Sequence, residues 1–192
     1  MSIRTDMAAE SFSQAGGAEK LQGVKVKNKV IENARLEVTD ITIETHEAAE
    51  KLGRPVGRYI TLTATDSTFD MYSDSFRERA EVIAKAIGEL CGECERFLAV
   101  GLGNYALTSD AVGPLTAEKI FATRHIKSLA KEIDTDDLGD VTVIQPGVLG
   151  NTGIESSEQV KAIAERVTPQ AIIAVDALAC SELSNLGRTI QL

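Results

Sequence analysis

The feature that most restricts the fold of this chain lies in its second half, where three short, uncharged and mainly apolar runs are separated by stretches of helical character. Residues 97–102 (Phe-Leu-Ala-Val-Gly-Leu), 141–144 (Val-Thr-Val-Ile) and 171–175 (Ala-Ile-Ile-Ala-Val) have strand length. Strands buried on both faces read this way, because neither face meets water. Between the first two runs, Pro114 stands where a first helical turn tolerates it, and residues 115 to about 131 have helix-forming composition. Between the second and third, Ser156-Ser157-Glu158-Gln159 resembles a capping box that opens a helix with Val160, Ile163 and Val167 inward, and Pro169 stops that helix. The order strand, helix, strand, helix, strand predicts an α/β fold with a parallel sheet and helices on both of its faces.

The front of the chain has a different period. From Val24 to Thr65 short stretches alternate apolar and polar residues, as in Val24-Lys25-Val26, Ile41-Thr42-Ile43 and Tyr59-Ile60-Thr61-Leu62-Thr63, the pattern of half-buried strands. Phe76, Ala80, Ile83, Ile87 and Leu90 then fall at steps of four and three, the stripe of an amphipathic helix. Its polar face carries Arg77, Glu78, Glu81 and Lys85. The first twenty residues are small and polar, with Ser11, Ser13, Gly16 and Gly17 close together, and predict an accessible, flexible arm. At 192 residues and 43% hydrophobic content, one domain over residues 21–192 is the expectation.

Composition narrows the function. A net charge of −9 works against binding nucleic acid directly, since displacing counterions from phosphates needs a cationic face. No apolar run approaches the roughly 20 residues needed to cross a bilayer. Charges at Arg4, Asp6 and Glu10 interrupt the place where a signal peptide would need an apolar core. Three cysteines make no disulfide framework, and Cys91 and Cys94 form a CxxC inside a helical pattern with no second ligand pair behind it. A reducing, cytoplasmic setting fits best.

The residues able to do chemistry lie where strands of such a sheet end at their carboxyl edge, since loops there vary without disturbing the core. Gly101-Leu102-Gly103-Asn104 leaves the first run and leads through Thr108-Ser109-Asp110 to Gly113-Pro114, which puts Asp110 just before a helix. Asp176 directly follows the third run. Two carboxylates at neighbouring strand ends can share one proton, because like charges held close do not both ionise cheaply. One then serves as base and the other as acid, and in peptide hydrolysis the base draws a proton from water while the acid polarises the scissile carbonyl. A carboxylate in this position is equally a helix cap or turn former.

Other chemistries are poorly supplied. Gly101-x-Gly103 lacks the third glycine of a dinucleotide fingerprint, Ala106 standing there instead, and no phosphate loop follows. His46 and His125 are the only histidines, neither at metal-ligand spacing, and no GxSxG elbow supplies a serine nucleophile for His125. The loop over residues 146–155, rich in glycine, could line a cleft with its backbone N–H groups or simply turn the chain into a helix. These observations call for neither a metal nor an organic cofactor.

Five segments in order resemble the germination protease family: Arg4-Thr5-Asp6-Met7-Ala8-Ala9-Glu10, the stretch from Gly101 to Pro114, Thr123-Arg124-His125, the loop over 146–155, and Ala174-Val175-Asp176-Ala177-Leu178-Ala179. The resemblance implies an aspartate-dependent endopeptidase of the forespore or spore core. It would be made as an autoprocessing zymogen, act on small acid-soluble spore proteins, and assemble as a homo-oligomer. It implies that Asp110 and Asp176 are the catalytic pair. It also implies a three-layer sandwich, a mostly parallel twisted sheet flanked by helices, similar to hydrogenase-maturation proteases. The family's substrates are cut within a short motif, an acidic and an apolar residue before the bond and Ala-x-Glu after it. Asp6-Met7-Ala8-Ala9-Glu10 looks like that motif, which points to Met7–Ala8 as the autoprocessing bond. Family members continue beyond the segment corresponding to Arg188–Leu192, so the resemblance is to the family's N-terminal part, with its C-terminal part lacking here. Two other readings stay open: a metal-dependent protease of the hydrogenase-maturation type, and an inactive remnant that binds acidic spore proteins without cutting them.

Overall fold

The computed structural model describes residues 5–14, 21–66, 68–129 and 138–192. Along the chain these form α1 (Ala8–Gln14), β1 (Val24–Ile31), β2 (Leu36–Ile43), α2 (His46–Leu52), β3 (Gly57–Ala64) and α3 (Phe76–Cys91). There follow β4 (Arg96–Gly101), α4 (Val112–Ala117), α5 (Arg124–Leu129), β5 (Asp140–Ile144), α6 (Leu149–Thr152), α7 (Ser156–Val167), β6 (Ala171–Val175) and β7 (Thr189–Gln191). Two compact units result: Met1–Leu90 with Leu178–Leu192, and Cys91–Ala177.

In the first unit β1, β2 and β3 run antiparallel and β7 adds to the far side of β3, giving the order β1-β2-β3-β7. The short connection over residues 32–35 permits only antiparallel pairing of β1 with β2. The apolar alternation changes parity within β2, and because neighbouring residues of a strand point to opposite faces, the sheet has a core on each. Leu36, Ile60, Leu62 and Ala64 join Ala86 of α3 in one cluster. Ile41 and Ile43 join Ala48 and Leu52 of α2, with Phe12 of α1, in the other. Leu36, Ile41, Ile43 and Leu62 are fully buried, and burial of each such side chain contributes about 1.5–3 kcal/mol.

Helix α3 departs from the predicted stripe. Phe76 and Leu90 are 49% and 42% exposed, while Val82, Ile83, Ala86 and the 2% exposed Arg79 turn inward. The guanidinium pairs with Asp66 and donates to the carbonyls of Ala34 and Thr68. It also lies over the Phe69 ring. A buried cation is tolerated when its donors are satisfied in this way, and a stripe drawn from apolar residues alone misses it.

The second unit holds the three apolar runs as parallel strands in the order β5-β4-β6. Central β4 is buried over Leu98–Gly101, whereas edge strand β6 leaves Ile172 48% exposed, so its apolar run is not covered on both faces. Helix α4 packs on β4 and β6, α5 on β5, and α7 on β4. The α/β expectation holds. The single, mostly parallel sheet does not: the parallel pairing is confined to these three strands, and the front strands form a separate antiparallel sheet.

Two local expectations are corrected. The helix predicted from 115 to about 131 is broken, with α4 ending at Ala117 and α5 starting at Arg124, residues 130 and 131 lying outside the described residues. Buried Thr123 sits in the break; its hydroxyl donates to the Gly139 carbonyl (2.5 Å) and accepts from the Val141 N–H (2.9 Å), tying the start of α5 to β5. The capping box also fails. Glu155 is the N-cap of α7 without a side-chain bond, while Ser156 Oγ donates to the Gly147 carbonyl and Gln159 Nε2 to that of Pro146, so both anchor the preceding loop.

Candidate functional site

At the carboxyl edge of the parallel sheet the chain leaves β4 through Gly103, whose φ of +114° belongs to glycine. A Cβ there would lie 2.2 Å from the Asp110 carbonyl oxygen and 3.0 Å from its Oδ1. The loop therefore folds Asp110 directly back onto the strand end. The Asn104 N–H donates to the Asp110 carbonyl (3.0 Å) and to its Oδ2 (2.8 Å), fixing backbone and carboxylate together. Helix α4 starts two residues later and comes equally close: a Cβ on Gly113 would lie 2.1 Å from the Leu102 carbonyl and 2.4 Å from that of Val175. Of the two glycines read from the sequence as an incomplete dinucleotide pattern, Gly103 thus makes room for Asp110, and Gly101 lets α4 approach the end of β4, since a Cβ there would lie 2.4 Å from the Gly113 carbonyl oxygen.

Asp176 is the first residue after β6, exposed, with Oδ1 accepting the Ala177 N–H at 2.8 Å. Half-buried Asp110 and exposed Asp176 follow adjacent strands at the same edge of the same sheet. The chain passes from β4 to β5 on one side and returns as β6 on the other, so this edge between β4 and β6 is where the strand order reverses. In open α/β sheets that reversal is where ligands bind, because the loops diverge and leave a crevice. The loop over 146–155 leaves the same edge from β5, turning through Gly147 at φ +73° into α6.

His125 lies elsewhere, exposed on α5 beside a depression of about 660 Å³ lined also by Arg124, Lys127 and Asp140. His46 opens α2 in the other unit. Among the described residues no three of His, Cys, Asp and Glu gather as a metal set.

The first unit contains a polar arrangement that the sequence did not reveal. Arg4 and residues 15–20 of the expected arm lie outside the described residues; residues 5–14 are held against the unit's core. Met7 and Ala8 are each 3% exposed. Asp6 N–H donates to the Ala179 carbonyl (2.8 Å) and Ala179 N–H to Asp6 Oδ2 (3.3 Å). Arg54 donates to the Thr5 carbonyl and Ser11 Oγ, and Gln191 accepts the Ala8 N–H. Glu10, 5% exposed, receives the Ser181 N–H (2.9 Å) and Oγ (2.5 Å) on Oε2, and the Glu182 N–H (3.3 Å) and Asn185 Nδ2 (2.7 Å) on Oε1. Burial pushes this carboxyl up, but hydrogen bonds from Ser181, Thr5 and Asn185 outweigh it and hold it down at about 2. Sequence gave one hint of the cradle, the polar cluster Ser181-Glu182-x-Ser184-Asn185, and no periodicity marks it.

Fold and site together define an α/β protein with an acidic residue after each of two adjacent parallel strands. The family model described as germination protease matches residues 3–192, and the chain belongs to the germination protease family. It is 36% identical to a germination protease of Clostridium perfringens over 99% of this chain and 59% of that protein. It is 36% identical to one of Clostridium tetani, over 100% of this chain and 60% of the relative, and 34% identical to one of Priestia megaterium, over 100% and 54%. The chain therefore spans somewhat more than half the length of the curated relatives it matches.

Proposed function

We propose that this chain carries the peptide-hydrolysing centre of a germination protease, an endopeptidase that starts the degradation of small acid-soluble spore proteins when spores germinate. Asp110 and Asp176 are its catalytic pair. The observation that carries this reading is their placement after β4 and β6, at the reversal of strand order in a chain of this family. The mechanism asks the pair to carry one proton between them when substrate binds. The ionised partner takes a proton from water as it attacks the scissile carbonyl, and the protonated one donates its hydrogen bond to the oxygen that becomes negative. Collapse of the tetrahedral intermediate breaks the C–N bond, the leaving amine takes a proton, and the pair returns to one proton. Asn104 positions Asp110 through its N–H, and Gly103 and Gly113 permit the close backbone approach that this needs.

The same reading makes Met7–Ala8 the autoprocessing bond of a zymogen. The Met7 carbonyl accepts from the Ser11 N–H (3.1 Å) in the first turn of α1, so the bond is helical as well as buried, a form unlike the extended peptide a protease cuts. Homo-oligomeric assembly, residence in the forespore or spore core, and a parallel unit related to the hydrogenase-maturation proteases belong to the reading too. The last is supported by the acidic residue after a GxGN turn and the aspartate ending a later strand.

The test is cleavage of a purified small acid-soluble spore protein, followed by mass spectrometry of the fragments. Asp110→Asn and Asp176→Asn should each lower the rate about 10²- to 10⁴-fold with folding unchanged by circular dichroism. Undiminished cleavage by either variant removes that residue from the pair.

A further inference from the structure

Residues 5–10 are held by the first unit much as a receptor holds a peptide ligand. Main-chain atoms of residue 6 meet those of Ala179, an apolar side chain at Met7 is buried, and an acidic side chain four residues after Asp6 enters a ring of donors. Backbone pairing for affinity and side-chain pockets for specificity are the usual division of labour in peptide recognition. Among the described residues no cation takes part in the ring; apart from the Thr5 hydroxyl, which belongs to the segment itself, its members are the Ser181 N–H and hydroxyl, the Glu182 N–H and the Asn185 amide, from within five consecutive positions. Donors so arranged are satisfied only by an acceptor with two oxygens and a full charge, and an uncharged or shorter side chain would leave buried N–H groups unmade. Nothing in this chemistry requires the carboxylate to come from the same chain.

We infer that residues 179–185 form a recognition subsite for the glutamate of an acidic peptide of the pattern Asp-apolar-Ala-x-Glu, which Glu10 occupies in cis. The inference rests on the reading of this chain as a protease for acidic spore proteins and adds to it the residues that select the distal acid. Ser181 and Asn185 determine specificity and take no part in bond breaking. While Glu10 is seated, the subsite is closed to other peptides, because a tethered segment competes at an effective concentration on the order of millimolar.

The experiment uses the full chain carrying Asp110→Asn, so that the probe is not consumed, and a fluorescein-labelled peptide with the sequence of residues 5–14. Emptying the subsite with Glu10→Ala should strengthen peptide binding at least roughly tenfold over the chain that retains Glu10. In the Glu10→Ala background, Asn185→Ala or a probe with glutamine in place of its glutamate should weaken binding by about tenfold or more. Equal binding of the glutamate and glutamine probes overturns the inference. Should Glu10→Ala not fold, amide exchange at Ala8 and Ser11 in the chain that retains Glu10 decides: millimolar peptide should speed their exchange by displacing the resident segment, and unchanged protection overturns the inference. Failure of the catalytic reading looks different. A chain without Asp110→Asn that binds the glutamate probe selectively but never cuts it leaves the subsite standing, whereas one that cuts both probes equally leaves the protease and removes the subsite.

Discussion

Glu10 shows how much one side chain contributes when several donors converge on it. Its carboxyl sits at about 2 in the folded chain against an ordinary 4.5, so it favours attachment of residues 5–14 fully above pH 4.5. That contribution declines as pH falls through 4.5 and is gone near 2. Among the described residues, Asp6, Glu182 and Arg54 are other charged groups bonded within or to the segment. Amide exchange at Ser11 should therefore accelerate between pH 4.5 and 2, and Glu10→Gln should flatten that dependence; an identical pH profile in the variant would show that the carboxylate is not responsible. Beyond the polar cluster over residues 181–185 little of this could be read from the sequence, where Glu10 is one among 29 acidic residues and, the Thr5 hydroxyl apart, its donors lie at separations of 171 to 175. Asp110 and Asp176 were legible as candidates for the opposite reason. Each stands beside a local mark, a glycine-rich turn or the end of an apolar run, and local marks survive in one dimension.

Among the elements, α3 is the clearest case of packing overruling pattern. Its length was legible from its period, but its rotation is set by Arg79, whose partners Asp66, Ala34 and Thr68 come from connections outside the helix. Arg79→Ala should destabilise the first unit by about 2–5 kcal/mol, since it empties a buried site and leaves the Ala34 and Thr68 carbonyls and one oxygen of Asp66 without their donor, while Arg35 keeps the other oxygen. Urea unfolding followed by far-ultraviolet circular dichroism measures this, and a loss below about 1 kcal/mol would mean that the guanidinium is not buried in solution. The break between α4 and α5 has a similar origin. Helix-forming composition carries across it, yet the Thr123 hydroxyl gains two bonds with the residues entering β5, and those bonds hold residue 123 out of a continuous helix. The three parallel strands were located correctly because each apolar run is bounded by local marks, but burial on both faces holds only for central β4; which strand lies at the edge was not legible, because strand order depends on connections that the runs do not encode.

Taken whole, the molecule interrupts one unit with another: Cys91–Ala177 is inserted between the two stretches of chain that build the antiparallel unit. The closing strand β7 is short, and its neighbours add to it, Ile60 and Leu192 exchanging both N–H bonds at 2.9 Å and the Ala64 N–H donating to the Arg188 carbonyl at 2.8 Å. Ile190 packs against the cluster of Leu36 and Leu62. Ile190→Asp should expose the far side of β3, so that amide exchange at Ile60 and Ala64 rises by orders of magnitude, while the pairing of β1 with β2 persists; unchanged protection at Ile60 would show that β7 does not hold that edge. The insertion was not evident from composition, since no linker marks either crossing point.

That arrangement also imposes a timetable on synthesis. As the nascent chain leaves the ribosome, the outer rim of β3 emerges early, but the residues that cover it are translated only after the whole inserted unit. For that interval the rim offers bare N–H and carbonyl groups to any extended strand nearby, including the same rim on a neighbouring copy from the same message. Crowded translation would therefore favour clumping between partly made copies, and whatever shields that rim until residues 189–191 are added governs how much of it pairs with its own closing strand.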